Sequence, residues 1–249
     1  MIKFQIMSDI HIETFMDNVE VENFIKPSAS ILILAGDVGR VSRYDQLECF
    51  LKELCPNFEI VLYVLGNHEY YRVNGIVPKN MKNILEDVEK IKSQIPNLYI
   101  LNRTSFIIED VCITGCTLWS QANVDIPRYI VKIPGMNRIK YNSLFNQDRQ
   151  YIESMIDYCQ DNNLKHLVVT HHCPTFSFSR HREEDRYKSL YCSNLDYLLD
   201  GTKVHTWICG HVHINFDVKT KNGTRIVSNQ KGKPKDGITD FLLDKVISI

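Results

Sequence analysis

The 249-residue chain is 44% hydrophobic and 24% charged with 11 Gly and 8 Pro, a balance that excludes a disordered tail, a collagenous repeat and a mini-protein held by staples. Lys and Arg number 29 against 30 Asp and Glu, a formal charge of −1, so no global field recruits nucleic acid or an anionic membrane and any anion must be captured locally. The longest apolar runs, residues 31–35 and 60–65, fall far short of the ~18 residues of a membrane span, and the amino terminus lacks the pattern of a secretory signal, so no membrane span and a cytoplasmic location are expected.

In chain order, short apolar runs recur and close on polar residues: 2–7 before Ser8-Asp9, 31–35 before Gly36-Asp37, 60–65 before Gly66-Asn67, 167–170 before His171-His172, and 204–209 before Gly210-His211. Runs of this length, rich in Ile, Val and Leu, predict strands buried on both faces. Between them, helical periodicity covers residues 44–54, 81–95 and 145–159. Shorter strands are predicted at 106–109 and 111–118, then at 216–218, 224–228 and 240–243, with Asn222-Gly223 marking a hairpin. The alternation predicts an α/β layered protein with helices over a sheet core.

With no internal repeat or Pro/Gly linker, one domain over residues 1–249 is the economical reading. Two stretches look inserted, 120–141 and 176–191, and loops of that length in a compact domain are often functional. The eight cysteines are scattered without a CxxC and read as reduced thiols, mostly core filler.

Five strands each end in residues able to hold a metal: Asp9-x-His11, Gly36-Asp37, Gly66-Asn67-His68-Glu69, His171-His172 and Gly210-His211-x-His213. In open α/β sheets ligands bind beyond the carboxyl ends of the strands, so such residues converge from distant parts of the chain. These blocks, in this order, resemble the calcineurin-like metallophosphoesterases, with their D-x-H, G-D, G-N-H-[ED], H and G-H-x-H pattern, over about residues 1–215.

The resemblance implies a layered αββα sandwich of two mixed sheets flanked by helices, with a dinuclear metal site at the strand carboxyl ends. It implies that Asp9, His11 and His213 hold one metal, that Asn67, His171 and His211 hold the second, and that Asp37 bridges both. Oxygen and imidazole together suit two divalent ions of Mn, Fe or Zn, and a shared carboxylate can keep them about 3.5–4 Å apart. A metal-bridging hydroxide would then attack phosphorus, with His68 as the catalytic residue that protonates the departing oxygen.

Of His171 and His172, the position directly after the strand assigns His171 as the ligand, leaving the other as a supporting or surface residue. Glu69 reads as a helix-entry residue or a partner orienting a histidine. Arg40 is the candidate substrate-binding cation for phosphate oxygens, with a solvated helix-start arginine as the alternative. Tyr70 and Tyr71 read as core residues that could also stack on a base, and His166, His181 and His205 receive no role.

The second block reads Gly36-Asp-Val-Gly-Arg, which departs from the G-D-x-x-D-R-G of Ser/Thr protein phosphatases, and it lacks the tyrosine of purple acid phosphatases. The expected function is therefore metal-dependent hydrolysis of phosphate esters, as a phosphodiesterase acting on a nucleotide or small phospho-metabolite. The alternatives are a phosphomonoesterase, a nuclease, or a fold reused as a protein-interaction scaffold, although none of the expected ligands is missing. The two inserted stretches are expected to cap the site, with Arg128, Lys132, Arg180 or Arg182 meeting the non-reacting part of the substrate.

Overall fold

The computed structural model describes residues 1–15, 19–179 and 184–249. In chain order the strands are β1 (Lys3–Met7), β2 (Ile31–Ala35), β3 (Ile60–Val64), β4 (Leu98–Ile100), β5 (Thr104–Ile108), β6 (Val111–Cys116), β7 (Lys165–Thr170), β8 (Thr206–Ile208), β9 (Phe216–Lys219), β10 (Arg225–Ser228) and β11 (Val246–Ser248). The α-helices are α1 (Tyr44–Leu54), α2 (Met81–Ser93) and α3 (Arg138–Asp161).

Two mixed sheets result. One has the order β11-β1-β2-β3-β4, parallel except for β11, and the other β5-β6-β7-β8-β10-β9, antiparallel only at its outer strands β5 and β9. Side chains alternate across each strand, so every inner strand must be apolar on both faces. Phe4, Ile6, Ile31, Ile33, Leu62 and Val64 of the first sheet accordingly meet Val111, Ile113, Leu167, Val169, Ile208 and Val227 of the second in one core. The opposite parity, Leu32, Leu34, Val61 and Tyr63, joins Leu47, Phe50 and Leu51 of α1 and Ile84, Val88 and Ile91 of α2. Helix α3 lies against β6 and β7. The architecture is the expected two mixed sheets flanked by helices.

Three differences from expectation have local causes. Helix α3 starts at Arg138 rather than near 145, capped by Asn137, whose Oδ1 accepts from the Lys140 amide at 2.9 Å. Its first turns carry an exposed Ile139, which hides the 3.6-residue period there and places the last four residues of the 120–141 stretch in the helix. Residues 240–243 form no strand, because the Asn229 side chain takes both the Leu242 amide and carbonyl, at 3.0 and 2.8 Å, in place of a ladder. The terminal pairing falls instead to Val246-Ile247-Ser248 against β1. Seven cysteines are buried as expected, and Cys49 is exposed.

Candidate metal centre and active site

The parallel strands β1, β2 and β3 of one sheet and β7 and β8 of the other deliver their carboxyl ends to one place, and there the chain turns sharply. Asp9, His11, Asp37, His211 and His213 all take left-handed backbone, with φ of 53°, 52°, 53°, 70° and 52°. Non-glycine residues pay about 1–3 kcal/mol for such conformations, which concentrate where a site over-determines them. Glycines make the convergence possible by having no side chain: a Cβ on Gly66 would strike the Asp37 carboxylate, and one on Gly210 would come within 2.6 Å of Asp9 Oδ2.

Two clusters of donor atoms meet at Asp37. In the first, Nε2 of His11 and Nε2 of His213 face each other at 3.3 Å, and Asp9 Oδ1 lies 3.1 Å from the latter. In the second, His171 Nε2 lies 2.9 Å from Asn67 Oδ1, and the His171 and His211 rings are 5.0 Å apart. Asp37 stands between them, with Oδ2 3.7 Å from His11 Nε2 and Oδ1 3.3 Å from His171 Nε2. Asp9 and Asp37 are 0% and 1% exposed.

Hydrogen bonds behind these groups set which atoms they present. Nδ1 of His11 meets Glu13 Oε1 at 3.2 Å, Nδ1 of His213 meets Asp236 Oδ2 at 2.6 Å, and Nδ1 of His171 meets the Ala35 carbonyl at 2.9 Å. Each acceptor draws the ring proton to Nδ1 and turns an Nε2 lone pair inward, as at histidines that ligate metals. Asn67 Nδ2 donates to Tyr71 Oη at 2.9 Å, which aims the amide oxygen at the same space. Inward lone pairs and buried carboxylates together repel one another unless cations lie among them, so the chemistry of the donor set fits divalent metal ions.

His172 is placed differently from His171: its ring stacks on His211 at 4.0 Å, Nδ1 meets Ser120 Oγ at 3.1 Å, and its buried Nε2 has no hydrogen-bond partner among the described residues. Glu69 orients no histidine among the described residues. Its carboxylate instead collects the amides of Asp37, Val38 and Gly66 at 3.1, 2.7 and 2.8 Å and the Tyr63 hydroxyl at 2.6 Å, fastening the β2 loop to the β3 loop. Burial, with Asp37 beside it, pushes its carboxyl up to about 8.

His68 stands over the clusters at a cavity of about 360 Å³. Its Nδ1 lies 2.7 Å from Glu13 Oε1, and its amide donates to Asp37 Oδ1 at 2.7 Å. Burial lowers its imidazole to about 4, against the pull of Asp37 and Glu13. Glu13, for its part, is held far below the usual carboxylate range: burial opposes this, but His11 and His68 overcome it. Glu13 has no place among the five blocks, although its spacing from His11 repeats that of His11 from Asp9.

Arg40 is turned toward Glu13, with Nε 3.7 Å from Oε1, and is not among the residues lining the cavity. From the inserted stretches the lining takes Ile130, Val131 and Tyr141 on one side and Leu190 and Tyr191 on the other, not Arg128 or Lys132. Tyr71 also lines it, its ring centroid 4.5 Å from that of His68, whereas Tyr70 packs on Trp119 in the core. Arg180, His181 and Arg182 lie outside the described residues. His166 is buried against Thr114, and His205 meets Thr206.

A two-sheet α/β sandwich that gathers buried carboxylates, imidazoles and an amide at its strand ends defines a metal-centred hydrolase of the phosphoesterase type. The chain belongs to the calcineurin-like phosphoesterases, whose family pattern matches residues 2–215. It is thus a metallophosphoesterase, a metal-dependent hydrolase of phosphate esters. It is 25% identical over 256 residues to the uncharacterized protein L509 of Acanthamoeba polyphaga mimivirus, covering 91% of this chain and 89% of that protein.

Among solved structures, the phosphopantetheinyl hydrolase PptH of Mycobacterium tuberculosis is similar with a TM-score of 0.70 at 16% identity, covering 94% of this chain and 90% of that one. A dimetal phosphatase of Danio rerio is similar with a TM-score of 0.53 at 14% identity, over 91% and 86% of the two chains. No helix among the described residues is long and apolar enough to cross a membrane.

Proposed function

We propose that the chain is a phosphodiesterase for small phosphorylated substrates, in which Asp9, His11 and His213 hold one divalent cation, Asn67, His171 and His211 hold a second, and Asp37 bridges them. The observation that carries this reading is the placement of the two Asp37 oxygens, Oδ2 toward His11 and Oδ1 toward His171. When bound, two such cations activate water for attack at phosphorus and neutralise phosphate charge. Oxygen and imidazole donors without thiolate favour Mn, Fe or Zn.

The protein groups do the rest. His68, fixed by Glu13 at the cavity, serves proton transfer at the leaving-group oxygen. Tyr71, Ile130, Val131, Leu190 and Tyr191 give the cavity an aromatic and aliphatic wall that suits the non-reacting half of a small diester. The inserted stretches act together as a cap within a single domain. Their side chains support this, since Tyr129 and Tyr187 hydroxyls meet at 2.7 Å and the Asn123 amide donates to Ser189 Oγ at 3.1 Å. The free cysteines suit a reducing, cytoplasmic setting.

The test is turnover of bis-(p-nitrophenyl) phosphate against p-nitrophenyl phosphate with Mn²⁺, Fe²⁺ or Zn²⁺, followed by a panel of nucleotides and phosphopantetheinyl conjugates. Metal-dependent turnover favouring the diester supports the reading. Preference for the monoester makes the protein a phosphomonoesterase, and no turnover with any metal removes the catalytic assignment.

A further inference from the structure

Another parallel strand, β10, ends at the same face, and the residues after it, Asn229-Gln-Lys-Gly-Lys233, belong to none of the five blocks. This turn is stitched to the end of β1: the Lys231 amide donates to the Ser8 carbonyl at 3.1 Å and the Gly232 amide to the Asp9 carbonyl at 2.9 Å. The Lys233 amide is in turn held by Asp236 Oδ2 at 2.8 Å. The side chain of Lys233 therefore leaves a backbone anchored directly to the residue that starts the metal cluster. It lines the cavity beside Asp37, Asn67, His68 and His213, and its Nζ lies 3.2 Å from His68 Nε2.

An ammonium has only protons to give, so at this contact His68 Nε2 accepts. The remaining ring proton then sits on Nδ1, where Glu13 Oε1 receives it at 2.7 Å. One placement of hydrogens serves the Lys233–His68 and His68–Glu13 contacts together, and it leaves further N–H bonds on the ammonium for a group inside the cavity. Arg40, the cation expected there, has its Nε turned to Glu13 instead. A phosphate ester brings negative oxygens into a space whose lining carries two lysines, Lys233 and Lys235, of which Lys233 stands at His68, and a lysine ammonium binds phosphate as a point charge.

We infer that Lys233 is a further catalytic residue, whose ammonium contacts a non-bridging phosphate oxygen of the substrate next to His68. The inference rests on the phosphoesterase reading of the same cavity. It separates two tasks: Lys233 holds charge on the phosphate, and His68, once its Nε2 has taken a proton from solvent, passes that proton to the leaving-group oxygen.

The experiment compares wild-type, Lys233→Met and Lys233→Arg proteins, each loaded with metal, with Lys221→Met on the distant hairpin as control. Calorimetry with inorganic phosphate, metal analysis, and kcat/KM for bis-(p-nitrophenyl) phosphate and an alkyl phosphodiester are measured. Lys233→Met should weaken phosphate binding about tenfold to a hundredfold, as loss of a charge-assisted hydrogen bond predicts, and lower kcat/KM by a similar factor for both esters. Metal content should not change, and Lys233→Arg should restore most of the loss. Phosphate affinity within about twofold of wild type, a loss confined to the alkyl ester as for a pure partner of His68, or a fall in metal content would each overturn the inference. If wild-type protein binds phosphate through Lys233 but hydrolyses no ester, the phosphate contact stands, and the phosphoesterase reading falls together with the catalytic role of Lys233.

Discussion

On the floor of the cavity, Asp9, His11, Asp37, His211 and His213 stand within a few residues of a strand end and owe their positions to main chain in left-handed conformation. On its wall, Ile130, Val131, Leu190 and Tyr191 come from two long connections that hold each other through side chains. The floor is buried, polar and fastened by backbone hydrogen bonds such as those converging on Glu69. The wall is apolar, with Val131 and Leu190 buried and Ile130 and Tyr191 half-buried, and it is joined by hydroxyl and amide contacts. Floor residues should therefore decide whether the reaction occurs, and wall residues which substrate undergoes it.

The largest effect should follow from Asp37→Asn. The change keeps the shape but removes the charge that both donor clusters share, so turnover should fall by roughly a thousandfold or more, the several kcal/mol that metal-ion catalysis supplies. Bound metal, measured by mass spectrometry, should fall with it. Full metal content and activity in Asp37→Asn would break the comparison at its strongest point.

His68→Ala comes next, because His68 belongs to the floor by its backbone and to the cavity by its ring. Its loss should cost about 10²–10⁴-fold on esters with alkyl leaving groups and much less on p-nitrophenyl esters, with metal content kept. If His68→Ala empties a metal site, the ring is a ligand and the boundary between floor and proton transfer has been drawn in the wrong place.

Glu13→Gln sharpens the same boundary. The carboxylate touches Nδ1 of both His11 and His68, so an amide there should weaken metal affinity or turnover by about 10–100-fold, the usual cost of losing a carboxylate behind a ligating histidine. Metal titration and single-turnover kinetics, measured separately, tell which histidine depends on it more.

How much of this was legible in the sequence follows the same division. A strand end is a local event: an apolar run of set length, a glycine, then a polar residue, so Asp9, Asp37, Asn67, His171 and His211 could be read without knowing the fold. The alternation of such runs with helical periods made an α/β layered protein legible, whereas the two mixed sheets were expected from the family resemblance of the five blocks. Glu13 and Lys233 were not legible as a pair, because their meeting at His68 depends on the β1 and β10 ends lying side by side, which no spacing records. That Arg40 faces Glu13 was not legible for the same reason, since this carboxylate comes from another strand end. That Ile130 and Val131 line the cavity, and Arg128 and Lys132 do not, was not legible either, because charge in a loop is visible in sequence while the inward turn of an aliphatic side chain is not.

The smallest effects should come from the wall, and they bear most directly on selectivity. Tyr129 and Tyr187 share one hydrogen bond at 2.7 Å, with Tyr129 68% exposed, so Tyr129→Phe should change stability by no more than about 1 kcal/mol. Ile130→Ala removes three carbons from the cavity lining and, at about 0.8 kcal/mol per buried methylene, should shift relative kcat/KM between two diesters of different bulk by several-fold to tenfold or more, while turnover of the smaller one and metal content hold. Relative kcat/KM across a series of alkyl and aryl diesters reads this out. Unchanged ratios in Ile130→Ala together with Leu190→Ala would mean that the wall does not select, and that discrimination rests with the charged rim around Lys233 and Lys235.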